Sequence, residues 1–464
     1  MGRQAFTPTP QVSGSTTIPA PTGGLNALNP ISNMPEGDAV VMRNLFPEPF
    51  GCRLRKGYKE HATGLDGEVC SLLRYAALDG SVKIFAVDQS HIIDITAPGD
   101  YSAATPEAPS TNPYWQFTNM ANAAGTYLIA LNGADPGFIW AVDGYHELVA
   151  GDGTNYTISG VDPKDLVQPI AHQHRLWFVE KDSTNAWYLP PEQVFGVAKF
   201  FDFGGNFNRG GFLQALVTYT VDSGYGPNDY LAAVSSAGEV SLYQGIDPND
   251  PAEWKLIGVF YAGATFTRRC WTKFGGDFAL LTQYGMVTMN SILKPADDSV
   301  LNNALSLKIQ YLISEVVTEG LYRPGWEVLT YPAANMMIIN VPGIIPEQTF
   351  QLVYNTLTKA WAQFSGMMAN CWLTVFDSIA FGGNGKVYRA WEGALDNVPL
   401  SGEGGDLIQG ECQQAFSYFG TPGANKHFKM FRPTFLYSGR FDYRAGANMN
   451  FDFVVNVDGT VGNV

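Results

Sequence analysis

Two histidines, His172 and His174, stand two residues apart in a stretch that alternates like a β-strand. Residues i and i+2 of a strand face the same side, so the pair has the spacing of two metal ligands. A third ligand is not evident nearby, and His174 runs into the apolar Leu176, Trp177 and Phe178, so an ordinary hydrogen-bonded pair is the simpler reading. Asp297 and Asp298 have the residue type of acid/base carboxylates, yet adjacent side chains point different ways and a helix cap explains them. Asn155-Tyr156-Thr157 fits the glycosylation pattern, which matters only in a secreted chain, and the glycines Gly382, Gly383 and Gly385 lack the Lys-Ser/Thr and helix of a phosphate loop. No Gly-x-Ser-x-Gly elbow, zinc motif or Ser-x-Asp-x-Gly box is present. The expectation is a chain that is not an enzyme, with no catalytic residue, no cofactor and no metal.

Two basic clusters remain. Arg268-Arg269 reads as solvated surface. Arg43, Arg53, Arg55 and Lys56 differ, because they lie among Asn44, Phe46, Pro47 and Tyr58. Arginine mixed with aromatic residues is enriched at protein contacts, so these eight residues are read as an assembly interface.

The elements that must hold these residues are short antiparallel strands. From Thr349 to Glu392 apolar and polar residues alternate with period two, and the turns are spelled by Asn355 to Lys359 and Gly382 to Gly385. A Gly-x-Val mark, with glycine ending a turn and valine starting the returning strand, recurs at Gly80, Gly238, Gly285 and Gly385. Its gaps of 158, 47 and 100 residues approximate three, one and two units of about fifty, the period of propeller blades. The predicted fold is all-β, a β-propeller of six or seven blades. One helix is predicted near 299–318, from Leu301, Leu305, Ile309, Leu312, Ile313 and Val316 at three- and four-residue spacing after an Asp297-Asp298-Ser299 cap.

Around the propeller lie a flexible arm over 1–22, an extended proline-rich strap over 23–62, the propeller itself over 63–400, and a β-rich C-terminal segment over 401–464 that forms a platform with the strap. The last predicted strand, Met449 to Val457, reaches an Asp458-Gly459 turn with almost no second arm, so another segment must pair with it if the chain is not truncated.

Composition agrees with a turn-rich, contact-rich protein: of 464 residues, 50 are Gly and 28 Pro, charged residues make 15% and aromatics 13%. A net charge of -15 argues against a groove that grips nucleic acid, since phosphate binding needs Lys and Arg. An acidic wall would instead let DNA slide past. Five cysteines, odd in number and without C-x-x-C pairing, fit reduced thiols in a chain made in the cytoplasm. No secretion signal is evident, and no apolar run reaches the ~18 residues of a membrane span.

Several phrases of the strap carry a resemblance: Gly24-Leu25-Asn26, Met34-Pro35-Glu36-Gly37-Asp38-Ala39, Arg43-Asn44-Leu45-Phe46-Pro47 and Arg53-Leu54-Arg55-Lys56-Gly57-Tyr58, then Val353-Tyr354-Asn355 with Ala360-Trp361 and the late basic phrase Lys426 to Pro433. Together they resemble the tail nozzle proteins of short-tailed bacteriophages, also called tail tubular protein B or packaged-DNA stabilisation proteins. The resemblance implies a structural virion protein: a hexamer docked beneath the head-to-tail adaptor ring, lining a channel through which DNA passes without sequence specificity, holding packaged DNA, and touching tail fibres, spikes or a needle. It implies assembly into the virion tail within the bacterial host. The residues leave open a second class, a propeller that binds or hydrolyses glycans at its central mouth, and a third, a monomeric scaffold module.

Overall fold

Strands in this chain form where apolar and polar residues alternate, and they end where a residue can take a left-handed backbone. In a computed structural model, which describes residues 14–222, 227–293, 304–375, 377–421, 426–437 and 442–447, that rule generates seven antiparallel sheets of three or more strands among the described residues. Leu166–His172 and Arg175–Glu180, for example, turn on Gln173 and His174 with φ of 48° and 58°.

Five of the seven are complete four-stranded meanders. They run over Ser71–Ala76, Val82–Val87, His91–Asp94 and Ala108–Pro109; then Gln116–Asn122, Gly125–Leu131, Gly137–Ala141 and Gly144–Ala150; then Leu166–His172, Arg175–Glu180, Asn185–Tyr188 and Lys199–Asp202. The other two complete meanders are Leu213–Asp222, Pro227–Ser235, Glu239–Gln244 and Lys255–Tyr261, and Glu327–Tyr331, Met336–Val341, Phe350–Asn355 and Ala360–Ser365. Between these last two lies a three-stranded sheet, Trp271–Phe274, Asp277–Thr282 and Gly285–Thr288. The final sheet draws only Cys371–Val375, Ser378–Gly382 and Val387–Ala390 from consecutive chain. The first strand of each sheet packs near the start of the next, and Cys371–Val375 returns to Ser71–Ala76, so the sheets close a circle. The chain is a β-propeller. Self-contained blades number five rather than the expected six or seven, because the three-stranded sheet lacks an outer strand and the last sheet takes its outer strand from elsewhere.

That borrowed strand is Tyr58–Thr63, antiparallel to Val387–Ala390 with Ala62 opposite Val387 and Tyr58 opposite Ala390. The strap thus ends inside the propeller and closes it by hydrogen bonds between opposite ends of the chain. Its earlier part builds a second layer on the 327–365 sheet. Asp38–Arg43 meets the outer strand of that sheet at Gln363, pairs in parallel with Gly24–Leu25 and antiparallel with Glu411–Gln414, so seven strands share one sheet. Two small hairpins, Leu45–Glu48 with Gly51–Leu54 and Leu395–Asp396 with Asp406–Leu407, complete the layer. The predicted strand Met449 to Val457 lies outside the described residues.

The predicted helix is shorter and starts later. It runs over Gln310–Gly320 after a 3-10 turn at Leu307–Ile309, and its expected cap, Asp297 to Ser299, lies outside the described residues. Leu305 N–H donates to Met286 O at 2.9 Å and the Ser306 hydroxyl accepts from Met286 N–H at 2.8 Å, so both residues are tied to the neighbouring hairpin and kept out of the helix. The Gly285–Thr288 strand runs directly into a short helix, Met289–Leu293. No described helix is long and apolar enough to cross a membrane.

Trp361 joins these layers. It is fully buried, its indole N–H donates to Leu305 O at 2.9 Å, and its ring leans on Tyr354 at 5.0 Å. The strap passes so close to it that a Cβ on Gly24, whose φ is 78°, would stand 2.5 Å from Trp361 O. Trp361→Ala is therefore expected to cost about 3–5 kcal/mol in chemical unfolding, the usual range for a buried tryptophan; a loss below about 1 kcal/mol would mean the layers do not depend on it.

Candidate functional site

Asn44 and Arg55 set the geometry of the strap. Asn44 is buried with φ of 54°, a left-handed conformation that asparagine tolerates better than most residues. Its side-chain oxygen accepts from Ser365 N–H at 2.8 Å and from Arg55 Nε at 3.0 Å, while its amide nitrogen donates to Gln409 O at 2.9 Å and Ser365 Oγ at 3.2 Å. Arg55 has a side chain 1% exposed and meets Asp396 through two parallel bonds, Nη1 to Oδ1 at 2.7 Å and Nη2 to Oδ2 at 2.5 Å. Nη1 also donates to Lys56 O at 3.1 Å and Nη2 to Ser365 O at 2.8 Å. All five N–H donors of the guanidinium are used, joining the strap, the 327–365 sheet and the C-terminal hairpin.

The neighbouring aromatic residues also face inward. Phe46, 2% exposed, meets Phe364 and Trp391 edge-on at 6.1 and 5.6 Å. Pro47 is buried, and its carbonyl accepts from Asn355 Nδ2 at 2.8 Å. The Tyr58 hydroxyl donates to Gly366 O at 2.9 Å, and its ring packs on Phe381 and Tyr388, both at 5.1 Å. Burial is the main cause that pushes this phenol well above its ordinary pKa.

The eight-residue interface expected from the sequence therefore divides. Asn44, Phe46, Pro47, Arg55 and Tyr58 are buried within the chain and join its own layers, so they offer no outward surface. Arg43, Arg53 and Lys56 remain exposed; Arg43 pairs with Glu411 at 3.0 Å, and Arg53 pairs with Glu48 at 2.7 Å beside the Trp391 ring. Arginine among aromatics marks a contact, but composition does not say whether the contact is with another chain or with this one.

A second cluster sits on the propeller axis, where the sequence reading expected a solvated edge. Arg269 Nη1 donates to Cys70 O at 2.9 Å and meets Glu327 Oε2 at 3.5 Å, while Nη2 donates to Ser71 Oγ at 2.5 Å and Trp115 O at 2.9 Å. Glu327 also accepts from Trp372 N–H at 2.9 Å. One ion pair thus links the inner strands of several sheets. Burial pushes the Glu327 carboxyl above its ordinary pKa, and Arg269 pulls it back down. Arg268 lies over the Phe212 ring at 5.6 Å and within 3.7 Å of Asp182. A cavity of about 190 Å³ opens between these inner strands, lined in part by Gln116, Gln168, Trp271 and Trp372. Among the described residues lining it, Glu327 is the single carboxylate. Glycoside hydrolysis ordinarily uses a pair of carboxylates.

The histidine pair separates. His172 ends a strand and is 2% exposed, with Nδ1 3.4 Å from Thr218 Oγ1 and no partner for Nε2. His174 stands in the turn, 78% exposed at its side chain and 3.1 Å from Glu192. His172 closes the strand while His174 is itself a residue of the two-residue turn, so they do not share a strand face. No group of three His, Cys, Asp or Glu residues that could hold a metal occurs among the described residues. Asp297 and Asp298 lie outside those residues, Gly385 sits in a hairpin turn, and all five cysteines are free.

No family model matches the chain, and no curated protein matches it. Solved structures similar to it include the β-propeller domain of Cps50 (Swd1) from Myceliophteria thermophila, at 12% identity and a TM-score of 0.41, covering 70% of this chain and 98% of that one. Others are a putative 6-phosphogluconolactonase from Bacteroides fragilis, at 10% identity and 0.35, covering 68% and 87%, and the dihydro-heme d1 dehydrogenase NirN, at 12% and 0.38, covering 74% and 66%. At such values these likenesses carry nothing about activity or partners; the fold rests on the strand order above.

Two outcomes are expected. Arg55→Ala leaves Asp396 buried without its cation and should lower stability by about 3–5 kcal/mol, whereas Arg55→Met with Asp396→Leu should recover much of it, as read from denaturant midpoints. Burial holds His172 near a pKa of about 4, against 6.5 as its ordinary value. Below the ordinary value the unfolded chain takes up a proton that the folded chain refuses, so stability is complete above about pH 6.5 and is lost as pH falls toward about 4, by about 3 kcal/mol from this residue. His172→Asn should flatten the stability–pH curve across that window; an unchanged slope would place the titration elsewhere.

Proposed function

We propose that this chain is a structural virion protein, the subunit of a nozzle ring at the end of a short bacteriophage tail, docked to the head-to-tail adaptor and passing DNA without reading its sequence. The single observation that carries this reading is the platform. Strap and C-terminal segment are built onto the outer strand of the 327–365 sheet, with Asp38–Arg43 between Gly24–Leu25 and Glu411–Gln414, and none of their residues lines the axial cavity. A propeller devoted to a ligand at its mouth has no need of a layer there, whereas a subunit that must sit in one orientation beside identical subunits does.

The strap phrases that resemble nozzle proteins are part of this layer, and that coincidence supports the reading. Arg55 and Asn44 hold the strap rigid, and exposed groups stand on that frame: Arg43, Arg53, Lys56 and the fully exposed Phe50 between the two strands of the 45–54 hairpin. These are the outward residues we assign to contacts with neighbours. A net charge of -15 suits a channel wall that does not retain DNA.

Mass photometry of the purified full chain tests the reading. A hexamer of a 50.5 kDa chain has a mass of about 300 kDa, and a closed ring in negative-stain images is the expected result. A single copy that persists at micromolar concentration and binds or cleaves glycans would replace this reading with the ligand-binding one.

A further inference from the structure

Beyond the platform the chain turns outward. Ala415 N–H still donates to Asp38 O at 3.0 Å and the Ser417 hydroxyl to Glu36 at 2.6 Å, which fixes where the C-terminal arm departs. Over the described residues 426–437 the arm contains no strand or helix. Phe428 is 56% exposed, Met430 86%, Phe431 63% and Leu436 fully exposed. Scattered exposed apolar residues are ordinary, but five large ones within nine positions, with Phe435 at 48% as the fifth, are a density of the kind that marks an interaction site. Phe428 does contact Phe419, ring centroids 5.3 Å apart, which is a contact within the C-terminal segment rather than with the propeller.

Charge says what this segment fits. Residues 426–437 contain Lys426, Lys429 and Arg432 and no acidic residue, while the whole chain has a net charge of -15. The arm is a basic, apolar segment on an acidic protein. Any other copy of the same chain carries that net negative charge at the same concentration, and approach of the arm to it is favoured electrostatically. Bases and phosphates would satisfy the cations and stack on the phenylalanines, but they offer poor cover for Met430 and Leu436, the two most exposed of the five.

We propose that residues 426–437 dock onto an acidic surface of a second copy of this chain, each copy giving its arm to the next. The contact is head-to-tail, so it closes into a ring when the rotation fits. This inference rests on the ring reading above and adds the segment that makes the bond between copies.

Two variants of the full chain test it: Met430→Ser with Phe431→Ser and Leu436→Ser, which removes apolar side chains of the arm, and Lys429→Glu with Arg432→Glu, which reverses its charge. Mass photometry across a dilution series should show association weakened at least about tenfold in both, with the thermal melting midpoint of the chain unchanged, since these side chains lie outside the core. Raising the salt from about 0.1 M to about 1 M should weaken the unmodified assembly and leave the charge-reversed variant less affected. If both variants assemble as tightly as the parent, arm docking is overturned while the ring reading stands. If the parent is monomeric throughout the series, both fall. If the variants assemble normally but lose binding to a fluorescent DNA duplex that the parent binds, the arm is a nucleic-acid contact and the proposal is overturned.

Discussion

Removing an arginine from water costs several kcal/mol unless each of its donors finds a partner, and the interior of this molecule is arranged around meeting that condition for Arg55. Asp396 supplies two oxygens, Asn44 one, and the carbonyls of Lys56 and Ser365 the remainder. These partners belong to the strap, to the outer strand of the 327–365 sheet and to the C-terminal hairpin. The strap can therefore take its observed path only when the other two are in place. Removing Asp396 alone leaves a buried charge unpaired, and removing Asn44 leaves the Nε donor unmet, so each partner adds to the stability of the second layer.

The propeller itself has two further ties of the same long-range kind. Tyr58–Thr63 closes the ring at its rim, and Arg269 with Glu327 joins inner strands at its axis. The first is made of backbone hydrogen bonds and the second of one ion pair with carbonyl partners. Because the strap runs from the Arg55 network directly into Tyr58, closure of the wheel and anchoring of the platform are mechanically one event. A rigid base of this kind suits a subunit that must present exposed groups in a constant direction to its neighbours.

Glu327 faces the axial cavity already engaged with Arg269 and Trp372, while His172 ends a buried strand and His174 stands exposed in the following turn. Exposed basic and large apolar residues occur together on the strap hairpin, at Arg53 and Phe50, and on the C-terminal arm, which is where the proposed contacts between copies fall.

Alternation and turn residues determined most of the strands on their own. Val82–Val87 and the Gly125 to Ala150 meander follow from neighbours a few positions apart, because pleating and left-handed turns are local properties. The strap's prolines likewise determined that it could form no long helix, but they did not keep it at sheet edges: Asp38–Arg43 is paired on both sides, and Tyr58–Thr63 lies between Val387–Ala390 and Gly99–Asp100. Partner choice was not legible. Arg55 and Asp396 are 341 positions apart, and nothing in the type or spacing of either names the other. The same holds for Arg269, whose pairing with Glu327 needs the circle to close before the two can meet, and for Ser306, which is held by Met286 and so delays the helix. His172 and His174 are two residues apart in the sequence, but only the turn made by Gln173 and His174 decided that they part. Tertiary structure alone settled which polar groups are buried, since burial depends on what arrives from the far end of the chain.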